Sequence, residues 1–150
     1  MKLKIPPVVV TFVFGLFMYA LATFLPVGYF EFFGRLFLVY LATFGALTLG
    51  ILAVWKFFKA KTTINPATPK NTSQLVTRGV YRYSRNPMYL ALLLVLIGWG
   101  LWLGNAFNSL ILAGFVGYMN KFQIIPEEQI LIQLFGKPYQ KYLTEVRRWF

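Results

Sequence analysis

Long stretches without formal charge alternate along the chain with short polar segments. The first two such stretches cover residues 5–25 and 36–55. As α-helices they would be roughly 30 Å long, which is about the thickness of the hydrocarbon core of a membrane. We therefore predict two membrane-spanning helices joined by a short polar turn at residues 26–34.

A third uncharged stretch covers residues 86–120 and is too long for one span. As a single helix it would measure roughly 52 Å. Gly104 can take the left-handed conformation that ends a helix, and Asn105 can begin the next one. The sequence therefore predicts a helical hairpin, with a third span at residues 87–103 and a fourth at residues 106–122.

The last polar segment contains Pro126, a residue that suits the first turn of a helix. Glu127 and Glu128 follow it, where the helix dipole favours negative charge. Apolar residues then recur at helical spacing on both sides of Gly136, which interrupts the pattern. We predict two short amphipathic helices that lie on the cytoplasmic surface of the membrane.

Composition supports an all-α integral membrane fold that forms a single domain over residues 1–150. Hydrophobic residues make up 58% and charged residues 13% of the chain, against about 45–50% and 25% in soluble domains. In this organisation residues 1–60 supply two N-terminal spans. Residues 61–150 supply a cofactor loop, the helical hairpin and a C-terminal cap.

The distribution of charge predicts the orientation. The chain has 15 basic and 4 acidic residues, and four spans would place every basic residue except Arg35 at one end. Because cytoplasmic loops collect lysine and arginine, we expect a multi-pass protein with cytoplasmic termini, in the plasma or inner membrane if the source is prokaryotic. The lipid bilayer accounts for the net charge of +11, so no nucleic-acid partner is expected.

The absence of cysteine and histidine restricts the chemistry that is possible. Neither residue occurs in the sequence, which removes thiol nucleophiles, histidine bases and the usual zinc ligands. No metal site is predicted. Any reaction must rely on carboxylates, arginine, lysine, tyrosine or amides, with a cofactor for the difficult step.

A basic segment with the sequence LVTRGVYRYSRNPMY precedes the third span. Asn86 suits the N-cap of that helix and Pro87 its first position. The N-terminus of a helix attracts anions, and the hairpin would return Glu127 and Glu128 to the same end. Two interpretations are open: a structural ion pair between Arg85 and a glutamate, or a pocket for a zwitterion such as an amino acid moiety.

Two sequence blocks resemble a known group of membrane enzymes. GVYRYSRNPMY is followed by an apolar hairpin and then by EEQILIQLFGKPYQKYLTEVRRW. This order resembles the integral membrane methyltransferases of the isoprenylcysteine carboxyl methyltransferase and phospholipid N-methyltransferase group. The resemblance covers residues 75–149, about half of the chain.

The resemblance implies S-adenosylmethionine as the methyl donor, bound near the cytoplasmic face. Glu127 would hold its ammonium group, the helix start at Asn86 its carboxylate, and a tyrosine ring its adenine or sulfonium. The residues implied in cofactor binding are Gln74, Leu75, Val76, Tyr81, Asn86, Pro87, Met88, Tyr89 and Glu127.

Catalysis is predicted for Glu128, Gln123 and Arg85. Asn86 replaces a histidine that is usual in the prenylcysteine enzymes, and Gln123 replaces an arginine thought to engage the substrate carboxylate. The acceptor is therefore an amphiphilic or prenylated molecule that presents a carboxylate, amine, thiol or phenol. An amine or phenol must lose a proton, for which Glu128 or a tyrosine is the candidate base.

Two other functions are compatible with parts of the pattern. Membrane sterol and steroid reductases that use NADPH end in a segment similar to the one that contains Asn86 and Tyr89. A small exporter or structural membrane protein could also have four short spans. Proton-coupled exporters need an ionisable group inside the membrane, and the predicted spans have only Lys121 at an edge.

Overall fold

The computed structural model describes residues 5–25, 27–59 and 75–150, and within these ranges the chain forms six α-helices. They are α1 (Pro7–Phe24), α2 (Arg35–Lys59), α3 (Pro87–Leu103), α4 (Asn108–Met119), α5 (Ile125–Phe135) and α6 (Lys137–Glu145). A 3-10 turn (Gly79–Arg82) precedes α3, and a π-turn (Asn120–Ile124) joins α4 to α5. The beginning of the predicted cofactor loop, residues 61–74, lies outside the described residues.

Two of these helices are long and apolar enough to cross a membrane, namely Pro7–Phe24 and Arg35–Lys56. Large apolar side chains such as Phe12, Phe37 and Phe44 are exposed on their outer surfaces. A contiguous apolar surface of this kind is stable against lipid but not against water. α3 is equally apolar but shorter, with 17 residues.

α3 is the central helix of the bundle and packs against α1, α2 and α4. Apolar residues on almost every face of α3 fit this position, because a helix that is hydrophobic all round is buried on several sides. Tyr89 near its start joins a core drawn from α1, α3, α4 and the π-turn. The other core residues are Val10, Met18, Leu93, Leu96, Phe115, Met119 and Ile124.

A tight turn after α3 produces the predicted hairpin. Gly104 ends the helix in the left-handed conformation, with φ of 65°. The Phe30 N–H donates to the Gly104 carbonyl, and the Asn105 side chain donates to the carbonyls of Leu25 and Val27, at distances of 2.8–3.2 Å. The break at Gly104 is therefore confirmed, and the turn is tied to the loop between α1 and α2.

Pro126 and both glutamates lie in the first turn of α5, as predicted, but no loop separates α5 from α4. α4, the π-turn and α5 form one continuous helical path, in which the Ile125 N–H donates to the Asn120 carbonyl. A proline within a helix lacks one N–H and its ring collides with the preceding turn. The wider π-turn directly before Pro126 accommodates the ring, so the helix continues where the sequence indicated an interruption.

The last segment forms the two short helices that the sequence predicted, and part of its apolar stripe packs against the protein. Gly136, with φ of 57°, separates α5 from α6. Tyr139 and Tyr142 of α6 are buried, and the Tyr142 hydroxyl donates to the Tyr81 carbonyl at 2.5 Å. Tyr142 of the predicted apolar stripe thus contacts the basic segment before α3, whereas Leu134 and Phe150 of the same stripe are exposed. Contact of these two helices with a membrane surface stays a prediction.

We predict that Gly104→Ala destabilises the fold by about 1–3 kcal/mol, because an L side chain is strained at this φ. Its Cβ would also lie 3.1 Å from the Phe30 carbonyl oxygen, beside the Arg35 guanidinium. Thermal unfolding in detergent, followed by circular dichroism, measures the effect.

Gly117→Ala is the matched control, because a Cβ at this helical position meets nothing within 4 Å. It should stabilise the protein by about 0.5–1 kcal/mol through the higher helix propensity of alanine. Equal responses of the two variants would contradict the role assigned to the turn at Gly104.

Candidate functional site

The start of α3 lies beside the last residues of the chain. The Asn86 side chain donates to the Arg148 carbonyl at 2.9 Å, and the Arg85 N–H donates to the Arg147 carbonyl at 3.0 Å. No side chain caps α3, although Asn86 occupies the N-cap position and Pro87 the first turn. The prediction that the Asn86 side chain caps this helix is therefore wrong, because a distant carbonyl takes its amide.

An uncapped N-terminus leaves the partial positive charge of α3 directed at its surroundings. Pro87 has no N–H, so the donors of the first turn belong to Met88 and Tyr89. Met88 is half-buried, and Tyr89 is buried with its ring in the core. This end of α3 has the polarity that favours a carboxylate or another anion.

Glu127 is hydrogen-bonded directly to a side chain in the first turn of α3. The Tyr89 hydroxyl donates to a Glu127 carboxylate oxygen at 2.9 Å, which joins α3 to α5. Burial of the carboxyl group and the neighbouring charge of Glu128 raise the pKa of Glu127 to about 7, and the Tyr89 hydrogen bond opposes this shift. An ionised Glu127 is therefore a buried negative charge that a cation would stabilise.

Glu128 has a different environment although it is the next residue. The Arg148 guanidinium donates to both of its oxygens, at 3.1 and 2.7 Å, and one Arg85 nitrogen lies 3.4 Å away. These bonds raise the pKa of Arg148 above its usual value. Both oxygens of Glu128 are thus occupied, and the Arg85–Glu128 ion pair expected from the sequence is one part of a three-residue group.

Arg85 has donor capacity that this ion pair does not use. Its Nε atom is buried and has no hydrogen-bond partner among the described residues. Buried donors are normally paired, because an unpaired one loses its water without compensation. Arg85 therefore offers a donor for an anionic ligand, within one residue of the α3 start.

Residues 146–149 hold this region together and were not predicted to do so. The Trp149 indole donates to the Asn120 side chain in the π-turn at 3.0 Å, and its ring packs against the core. The sequence signal for this role was the order VRRW. That order does not show which side chain is directed inward. In the structure Arg148 binds Glu128, whereas Arg147 is exposed.

Three further tyrosine side chains with raised pKa values lie at this end of the bundle. Burial raises the pKa of Tyr81, Tyr139 and Tyr142 far above the usual value, with a further contribution from Glu127 at Tyr81 and from both glutamates at Tyr139. These phenols are therefore neutral at physiological pH. They provide hydroxyl groups and aromatic faces, which suit a cationic ligand.

The remaining predicted residues have different positions. Leu75 and Val76 are half-buried at the beginning of the basic segment, and Gln74 lies outside the described residues. Gln123 is fully buried in the π-turn, where its amide nitrogen donates to the Ile5 carbonyl at 2.7 Å. The structure thus connects Gln123 with the start of α1, and no contact joins it to Arg85 or Glu128.

The arrangement as a whole can bind a small zwitterion. The half-buried Glu127 carboxylate could hold an ammonium group, and the uncapped helix start with the unpaired Arg85 nitrogen could hold a carboxylate. Tyr81 and Tyr89 supply buried aromatic surface between them. This combination of groups is the one that an amino acid moiety requires.

Comparisons with known proteins identify the class to which this helical bundle belongs. Residues 10–138 match the model of the phospholipid methyltransferase family. Since the match covers most of the chain, the protein belongs to this family and is a membrane methyltransferase.

Two curated relatives show where the similarity is concentrated. An uncharacterised protein of Haemophilus influenzae is 48% identical over 62 residues, which is 41% of this chain and 98% of that protein. The protein-S-isoprenylcysteine O-methyltransferase of Schizosaccharomyces pombe is 32% identical over 72 residues, which is 48% of this chain and 30% of that enzyme. No solved structure matches the chain significantly.

We predict that Glu127→Gln increases thermal stability at pH 8. Because the pKa of Glu127 is raised in the folded state, the folded protein binds this proton more tightly than the unfolded chain does. Stability is then lost as the pH rises from the ordinary glutamate pKa to about 7. Glutamine keeps an acceptor for Tyr89 and removes the buried charge.

Thermal unfolding of both proteins at pH 5 and pH 8 measures this effect. The difference in melting temperature should be larger at pH 8 than at pH 5. Glu128→Gln is the control, and it should lower stability because it disrupts the pair with Arg148. A lower melting temperature for Glu127→Gln at pH 8 would show that Glu127 has a structural role.

Proposed function

We propose that the protein transfers a methyl group from S-adenosylmethionine to an amphiphilic or lipid-like acceptor at the surface of the membrane. The observation that carries this proposal is the half-buried Glu127, whose carboxylate accepts the Tyr89 hydrogen bond beside the uncapped start of α3. Membership of the phospholipid methyltransferase family supports the reaction class. The name of the Schizosaccharomyces pombe relative supports methyl transfer to an amphiphile.

The residues present fit the proposed cofactor. Glu127 would bind its ammonium group, and the Met88 and Tyr89 amides with the Arg85 Nε would bind its carboxylate. Tyr81 and Tyr89 would line the space around its positive sulfur, where aromatic rings stabilise cations. When bound, the cofactor supplies an electrophilic methyl group, so the protein itself needs no metal and no nucleophilic side chain.

The contribution of the protein is mainly to position the reactants. Methyl transfer is an in-line displacement, and fixed orientation can supply several kcal/mol toward the barrier. The Arg148–Glu128 pair fixes α5 against residues 147–149, and the Tyr89–Glu127 bond fixes α5 against α3. Both contacts hold the Glu127 carboxylate in one place and keep bulk water from it.

The acceptor is more restricted than the sequence alone indicated. Gln123 is engaged with the Ile5 carbonyl, and Glu128 is engaged with Arg148, which makes Glu128 a poor proton acceptor. Acceptors that need no base in the protein, such as a thiolate, a carboxylate or an amine that arrives unprotonated, fit these contacts best.

The membrane arrangement completes the proposal. We propose that α3 and α4 are the third and fourth spans and that both termini are cytoplasmic, since α2 ends with Lys56 and Lys59 at the same end as the candidate site. The acceptor would then enter from the lipid, and the cofactor from the cytoplasm. Both would meet near the start of α3.

We predict that Glu127→Gln weakens the binding of S-adenosylmethionine about tenfold to a hundredfold, because a charged hydrogen bond is lost. Calorimetry on the protein in detergent measures the dissociation constant. Glu31→Gln, an identical change at the opposite end of the bundle, should leave it unchanged. Equal affinity of Glu127→Gln and the unmodified protein would exclude Glu127 as the ammonium ligand.

The same binding should depend on pH. Glu127 has a pKa raised to about 7, and only its ionised form attracts the ammonium group. The dissociation constant should therefore rise about tenfold for each pH unit below 7 and level off above it. Glu127→Gln should show a flat profile in this range, and a flat profile for the unmodified protein would contradict the assignment.

The reaction itself is tested by following radiolabelled methyl transfer to candidate acceptors in detergent–lipid micelles. The panel contains a prenylated cysteine, phosphatidylethanolamine and an alkyl thiol. We expect transfer to at least one of these, and loss of it in Glu127→Gln at subsaturating cofactor. Binding of NADPH in place of S-adenosylmethionine would instead favour the reductase interpretation.

A further inference from the structure

A cavity of about 500 Å³ lies outside the site described above, between the 3-10 turn and the end of α6. It is open on one side and within the usual size range of ligand pockets. Glu127, Tyr89 and Asn86 do not line it. The lining residues are Thr77, Arg78, Gly79, Arg82, Tyr142, Glu145 and Val146.

Positive charge dominates this cavity. Arg78 and Arg82 both line it, and within the described ranges no salt bridge joins either of them to a carboxylate. The Lys56 ammonium lies 2.9 Å from the point that a Cβ on Gly79 would occupy. The single acidic lining residue, Glu145, is exposed and shares its charge with Lys141 at 3.6 Å.

Side chains of the kind found where a membrane meets water lie near the cavity. Lys56 and Lys59 end α2, and the Trp55 and Phe58 side chains beside them are 54% and 66% exposed. Tyr83, which follows the 3-10 turn, is 79% exposed. Exposed aromatic side chains next to lysine at the end of an apolar helix are typical of the headgroup region.

We propose that this cavity binds the phosphate group of a membrane lipid. Two arginines offer forked donors that match phosphate oxygens, and Lys56 adds a point charge. The cofactor of the proposed reaction is a poor match, because its positive sulfonium would be repelled by these three cations. The interfacial position favours a lipid phosphate over a dissolved one, since the acyl chains remain in the membrane.

The carboxylate of Glu145 distinguishes this cavity from a general basic surface. This carboxylate reduces the net positive charge of the cavity and lies close to any phosphate bound there. Removal of that charge should therefore strengthen the binding of an anionic lipid. This inference does not depend on methyl transfer, because lipid binding is measured without cofactor or acceptor.

The test uses the protein in a neutral detergent, titrated with dioleoylphosphatidylglycerol and followed by native mass spectrometry. Arg78→Gln/Arg82→Gln should weaken retention of the lipid on the order of tenfold or more, and Glu145→Gln should strengthen it severalfold. Lys121→Gln/Lys137→Gln removes two exposed charges that do not line the cavity. This control should change retention less than twofold.

Competition by three other compounds identifies which part of the lipid is bound. Dioleoylglycerol, which lacks phosphate, and glycerol 3-phosphate, which lacks acyl chains, should both compete at least tenfold more weakly than the complete lipid. S-adenosylmethionine should not displace the lipid. Equal loss of retention in the arginine variant and the lysine control, effective competition by glycerol 3-phosphate, or displacement by S-adenosylmethionine would each overturn the proposal.

Circular dichroism and size-exclusion chromatography establish that each variant remains folded. If the double arginine variant fails to fold, Arg82→Lys replaces it, because lysine keeps the charge but loses the forked donor. Retention of the lipid by Arg82→Lys should fall measurably, but by a smaller factor than is expected for the double arginine variant. Unchanged retention in Arg82→Lys together with unchanged retention in Glu145→Gln would exclude a phosphate site in the cavity.

Discussion

The hydrogen bond between Tyr89 and Glu127 is the contact on which the candidate site depends. It joins the first turn of α3 to the first turn of α5, which are 38 positions apart in the sequence. The bond can form only if the chain reverses at the far end of α3 and returns along its length. Gly104 and Asn105 provide that reversal, and the continuous path through α4 and the π-turn carries Glu127 back to the start of α3.

Local signals made the hairpin and the location of the site predictable from the sequence. The uncharged stretch of residues 86–120 exceeds the thickness of a bilayer, and Gly104 has a conformational freedom that other residues lack. Contacts between distant residues were not predictable in the same way. The Asn86 amide donates to the Arg148 carbonyl instead of capping its own helix, and the π-turn joins α4 to α5 without a loop. Helix propensity describes local preference, so it did not indicate the contact of Asn86 with a residue 62 positions away.

Glu127 and Glu128 show how environment assigns different functions to adjacent carboxylates. They are neighbours in one helical turn, yet Glu128 binds two arginines while Glu127 faces tyrosine hydroxyls and buried surface. The arginines neutralise the charge of Glu128 within the protein. The charge of Glu127 has no such partner. Groups of this kind are concentrated at functional sites, because a ligand supplies the missing partner.

The same reasoning separates the two polar regions at this end of the bundle. In the two proposals, the region around Glu127 binds a cation and the cavity beside Arg78 and Arg82 binds an anion. Tyr142 contributes to both regions, since it lines the cavity and its hydroxyl donates to the Tyr81 carbonyl. A membrane-bound anion and a cationic cofactor could therefore occupy neighbouring positions at one end of the bundle without competing.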